Sequence, residues 1–175
     1  MIGRLDTVPA SDRPDLLAAP VATAVAGWSG PPVLVAEIDP SLADTAAFCE
    51  RYDVGLDVSA NCVVVAGRRG QETRLAACLV LATTRADVNG VVRRRLEARK
   101  ASFASMELAV AETGMEQGGI TPIGLPAGWP VLVDRVVVDT PAVVVGSGLR
   151  RSKLVVAGAA LADLPGAEVV EGLGR

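Results

Sequence analysis

Apolar positions along this chain fall partly into short unbroken runs and partly into stretches with helical spacing. The first run, Val33-Leu34-Val35-Ala36-Glu37-Ile38, follows Gly30-Pro31-Pro32 and stops at Asp39-Pro40, so it reads as a strand with breakers on both sides. A second run, Cys62 to Ala66, and a third, Leu75 to Ala82, flank the turn Arg68-Arg69-Gly70. They predict a hairpin of nearly continuous apolar character, as expected of strands covered on both faces. Pro130 to Asp134, Val136 to Val138, Ala142 to Val145 and Leu154 to Ala157 predict further strands, with Ala167 to Val170 as an edge strand.

Between these runs the period changes. Leu42 to Tyr52 predicts a short helix that buries Phe48, Cys49 and Tyr52 and closes near Gly55. Asp87 caps a helix whose Val88, Val91, Val92 and Leu96 share one face, with Asn89, Arg93, Arg94 and Glu97 on the other. Ser105 caps another, with Glu107 in its favourable first turn and Gly114 as its stop. Gly158 to Leu164 reads as one more short helix. Residues 1–31 form an N-terminal extension in which Ser11-Asp12-Arg13-Pro14 starts a helix and Pro20 should kink or split it. Residues 32–175 then make a single α+β domain around a mixed sheet, with no internal repeat and no interdomain linker.

The chemistry concentrates where the helical middle gives way to the second set of strands. Gly118-Gly119-Ile120-Thr121-Pro122-Ile123-Gly124 holds three glycines and a proline, and Gly146-Ser147-Gly148 makes a second glycine turn. Pro122 fixes its own φ and pushes Thr121 toward an extended conformation. The amides of such a loop suit a phosphate, a carboxylate or a developing oxyanion. A purely structural turn has the same composition. The hydroxyls of Thr121 and Ser147 could orient a substrate amine or a water, or satisfy local backbone.

Composition narrows the choice. The chain has no histidine, which removes Ser-His-Asp and Cys-His catalysis and histidine metal sites. Its three cysteines have no Cys-x-x-Cys spacing; Cys49, Cys62 and Cys78 read as reduced, buried thiols of a cytoplasmic protein. No metal or other cofactor is expected. Residues 1–15 lack the apolar core of a signal peptide, and the run Leu16 to Trp28 is too short to span a bilayer. Two Trp, two Phe and one Tyr are too few for a base-stacking platform, and a net charge of −3 argues against a general nucleic-acid binder. Charge is uneven, however. Arg68-Arg69, Arg93-Arg94-Arg95 with Arg99-Lys100, and Arg150-Arg151 with Lys153 are basic clusters that could face phosphates or simply water.

From the helix ending Tyr52-Asp53-Val54-Gly55, through the hairpin at Cys62, the Asp87 helix, both glycine turns and the Leu154 strand, the chain resembles the YbaK/prolyl-tRNA-synthetase-associated domain family of aminoacyl-tRNA deacylases. The family's Gly-Gly-x-Ser/Thr-Pro-x-Gly loop is satisfied at every position from Gly118 to Gly124. The resemblance implies a compact domain with a curved mixed sheet and flanking helices. It also implies hydrolysis of the ester between a wrong amino acid and its tRNA, as a free-standing editing protein, with Cys- or Ala-charged proline tRNA as the class. The aminoacyl-tRNA acceptor end is then the partner, with a synthetase as a second one; no membrane or DNA partner is implied. Gly119 would supply a catalytic amide donor, while Gly118, Thr121, Pro122, Gly124, Ser147 and Gly148 would line the substrate. Two positions depart from the pattern. Asn61 stands where many members carry a lysine, and Lys153 where some carry an aspartate, so Lys153 is read as restoring the cationic character that Asn61 gave up. The alternative is a noncatalytic module that kept the cleft and binds an aminoacyl ligand.

Overall fold

A computed structural model describes residues 2–175. The strands are β1 Thr7–Pro9, β2 Leu34–Glu37, β3 Ala60–Arg69, β4 Glu72–Leu81, β5 Lys100–Phe103, β6 Val131–Asp134, β7 Val143–Gly146, β8 Ser152–Val156 and β9 Ala167–Val170. The helices are α1 Ala19–Ala26, α2 Thr45–Tyr52, α3 Arg93–Arg95 entered through a wide π turn at Val88–Val92, α4 Met106–Thr113 and α5 Arg135–Asp139. The described residues form an α+β fold in which the strands divide between two sheets. One is antiparallel, in the order β1-β2-β8-β7; the other is mixed, in the order β5-β3-β4-β6-β9. A lone parallel bridge between Ser59 and Val144 brings the start of β3 alongside β7 and joins the sheets.

Local chemistry explains most of these elements. Asp44 accepts from Ala46 N at 3.1 Å to start α2, and Asp53 ends it in the left-handed region at φ 53°. Asp87 accepts from Gly90 N and Val91 N, and Ser105 from Leu108 N, so both expected caps are in place. Three elements differ from the sequence pattern. Val136 to Val138 is helical, not extended: α5 buries Val137 completely while Val136 stays exposed, so packing overrides the β-branched preference. Strand β5 has no apolar run because only Ala101 is buried in it. The helix expected from Pro14 onward is broken at the extended Leu17 and Ala18, and α1 starts only at Ala19, with Pro20 in its first turn, where its missing N–H has no partner to lose.

The apolar interior has three parts. The main one lies where α1, both sheets and Met115 meet; another lies between the mixed sheet and the π turn; the third packs α2 against the antiparallel sheet through Phe48, Cys49 and Val155. The first thirty residues enter this interior: β1 pairs with β2, and Ala10, Leu16, Leu17 and Val21 are buried. Among the described residues no helix is long and apolar enough to cross a membrane.

Candidate functional site

The two glycine segments touch through their backbones. Gly119 N–H donates to Glu116 O at 2.9 Å, Gly148 N–H donates to Gly119 O at 2.7 Å, and Glu116 N–H donates to Gly148 O at 2.8 Å. A Cβ at Gly146 would stand 2.4 Å from Gly119 O, and one at Gly119 would stand 2.8 Å from the Leu149 backbone. Glycine is required at both positions by this close approach, since backbone cannot step aside.

Arg150 clamps the entry to the loop. Its guanidinium donates to Gln117 O and to Pro40 O, each at 3.1 Å, so the loop is tied to the segment leading into α2. Ala43 of that segment lies against Gly118. The far end of the loop faces elsewhere: Pro122 and Gly124 line an apolar cavity of about 950 Å³ between α1 and Trp129. Asn61, Lys153, Gly118 and Gly119 take no part in that cavity. Between the two ends, Thr121 is fully buried and its Oγ1 has no partner among the described residues.

At the first residue of α2, Thr45 Oγ1 donates to Asn61 Oδ1 at 2.8 Å. That bond uses one lone pair of the amide oxygen, and both Nδ2 protons have no acceptor among the described residues. Asn61 is half-buried, and the Ser59–Val144 bridge carries it toward β7, whose Gly146 abuts Gly119 and Ile120. Lys153 occupies β8 opposite Gly146 and is buried at 9% exposure, not solvated. Its ammonium donates to Ala43 O at 3.2 Å and stands 5.2 Å from the centre of the Phe48 ring. Burial pushes the Lys153 pKa down, against the pull of Cys49 and Asp44, while Arg150 adds to the lowering. Asn61, Lys153 and the loop entry therefore converge on the start of α2.

Ser147 belongs to a different arrangement. Its hydroxyl lies 2.7 Å from Ser152 Oγ, which itself donates to Leu16 O at 2.6 Å, and it accepts from Leu149 N at 3.2 Å. That capacity is filled within the chain. Gly148, at φ +85°, packs against Ala18 and Val21 on the same side. Cys78 is a core thiol and Cys62 a partly buried one packed against the core; burial raises both pKa values, that of Cys78 to about 12. No three His, Cys, Asp or Glu side chains among the described residues gather to hold a metal ion. The residues that sequence reasoning missed are Thr45, Arg150 as an individual, and the Ala43 carbonyl. Arg150 lay in a recognised basic cluster, but nothing in the order of residues announces that Thr45 will meet Asn61.

Residues 39–164 match the family model described as an aminoacyl-tRNA editing domain. No curated protein matches the sequence. Among solved structures, a scaffold from epitope backbone grafting by computational design superposes with a TM-score of 0.76 at 22% identity, over 90% of this chain and 97% of its own. A protein described as a "putative trans-editing enzyme for prolyl tRNA synthetase" gives 0.69 at 23% identity, over 81% of this chain and 85% of its own. A hypothetical protein gives 0.71 at 18% identity, over 81% and 90%. These likenesses show a shared fold, and the family model spans most of the sequence, so the chain belongs to the aminoacyl-tRNA editing domain family.

Proposed function

We propose that this protein is an aminoacyl-tRNA deacylase acting in trans, which hydrolyses the ester of a mischarged tRNA at the corner formed by Asn61, the start of α2 and the glycine loop. The observation that carries this reading is the Asn61 side chain: Thr45 fixes its oxygen, and its two N–H donors have no acceptor among the described residues. A donor held rigidly before the reaction stabilises the oxyanion that forms when water adds to the ester carbonyl. Gly119 N–H is committed to Glu116 O, so the donor role falls to Asn61 Nδ2 and to the amides of Gly118 and Ile120. Collapse of the tetrahedral intermediate breaks the bond to the ribose oxygen. That oxygen takes the proton from the attacking water, and the free amino acid leaves. The chain's lack of histidine is compatible with such a route, in which positioning and charge stabilisation do the work. Lys153 acts from behind, placing a positive charge beneath the start of α2.

Purified protein incubated with tRNAs each carrying a noncognate amino acid, Cys- and Ala-charged proline tRNA among them, should release one amino acid selectively. Release of none, with protein in excess over tRNA, sinks the reading. One observation favours a second reading, a binding module: Asn61 offers no full charge where a lysine is common in the family. That reading requires tight binding of a nonhydrolysable aminoacyl-adenosine together with no ester turnover.

A further inference from the structure

A groove of about 450 Å³ opens at the far end of β3, lined by Arg68, Asn89, Arg93, Arg99, Lys100 and Ser102. No carboxylate lines it, and the ion pairs among the described residues lie elsewhere. Arg95 makes the contrast clear, because it sits on the same short helix as Arg93 yet pairs with Glu168 outside the groove. Arg93 donates through Nε to Asn89 O at 2.9 Å, which leaves its terminal nitrogens unengaged among the described residues. Arg68 and Lys100 are register partners on the antiparallel strands β3 and β5. Like charges placed directly opposite destabilise a sheet pair. An edge lysine alone guards against strand addition, but that does not account for three arginines converging on it from β3, α3 and the connection to β5.

We propose that this groove binds the sugar–phosphate backbone of the RNA whose esterified end enters the site. Anionic oxygens between Arg68 and Lys100 relieve the repulsion that the free protein carries, and Asn89 and Ser102 add neutral donors. Arg68 lies seven residues beyond Asn61 along β3, a span of about 23 Å at strand rise. The groove therefore meets the body of the RNA, not its terminal nucleotide. This inference rests on the editing reading for the identity of the polyanion.

The test is fluorescence anisotropy of uncharged tRNA against salt concentration, for wild type and for Arg68→Ala/Lys100→Ala, with hydrolysis of a minimal aminoacyl ester measured in parallel. Two lost phosphate contacts should weaken binding roughly tenfold or more and reduce the log–log salt slope by about 1.5. Minimal-ester hydrolysis should be unchanged. Unaltered affinity and slope overturn the proposal, as does a parallel loss of minimal-ester turnover, which would place the effect in the site or the fold. Lys100→Ala should melt at or above the wild-type temperature; a clear drop overturns the repulsion argument. Because uncharged tRNA needs no turnover, a groove-dependent slope in a protein that hydrolyses nothing retains the groove and discards the editing reading.

Discussion

The laced glycine segments and the corner at the start of α2 lie side by side and are built on opposite principles. In the first, backbone meets backbone at distances that exclude a Cβ, and the donors of Glu116, Gly119 and Gly148 are spent holding the segments together. In the second, side chains carry the arrangement: Thr45 orients Asn61, Arg150 ties the loop to Pro40, and Lys153 reaches Ala43 O from below. The glycine region is a rigid frame with little left to offer a ligand. The corner keeps donors unspent, and a few side-chain changes could retune it. Geometry and reactivity are thus divided between neighbouring segments, consistent with a site that must hold an ester still while its charge rearranges.

Adding one methyl to the frame should have the largest effect. Gly146→Ala puts a Cβ against two carbonyl oxygens, at 2.4 and 2.7 Å, and neither can yield without moving the loop. Overpacking of this kind costs about 3 kcal/mol. For a chain of this size the melting temperature should fall by roughly 6–12 °C. A melt within a degree or two of wild type would mean that the segments are not locked. Asn61→Ala should do the reverse, leaving the melt nearly unchanged while turnover falls about a hundredfold, as for loss of one oxyanion donor. Thr45→Ala frees Asn61 to rotate and should cost less, about tenfold in turnover, with little change in KM if the bond serves only to orient.

The smallest effect concerns charge buried under the corner. Burial raises the Cys49 pKa despite Ser59 and Lys153, and burial lowers that of Lys153. The raised thiol contributes stability below the ordinary value of 9.0 and loses it as pH rises further. The depressed lysine acts with the opposite sign: its penalty is fully present below its folded pKa and is relieved as pH approaches 10.5. Lys153→Met should therefore melt at or slightly above the wild-type temperature at neutral pH and lose stability more steeply above pH 9. A less steep alkaline limb in the variant would show that the ammonium is not held at a cost.

What the sequence disclosed divides along the same line. Caps, hairpin, glycine turns and the burial of Phe48 and Cys49 were legible because each depends on neighbours within a turn or two. Helix α5 was not, since its Val136-Val137-Val138 run has strand chemistry and only packing of Val137 decides otherwise. The buried state of Lys153 was hidden too, because the carbonyl that receives it belongs to Ala43, which is remote in sequence. The Ser147 hydroxyl, open on sequence to a substrate or to local backbone, has Ser152 Oγ and Leu149 N as partners, and the first of these is five residues away on β8. The meeting of Thr45 with Asn61 joins residues of a helix and a strand near the Ser59–Val144 bridge, a tertiary contact that no local pattern encodes.

The most direct measurement is single-turnover hydrolysis of the selected mischarged tRNA by wild type and by Asn61→Ala, at saturating protein. The account predicts a rate for wild type well above the spontaneous one, and a fall of about a hundredfold in the variant with binding preserved. Equal rates in the two proteins would contradict it, because the ester would then be cleaved without the side chain whose donors stay unspent at the corner.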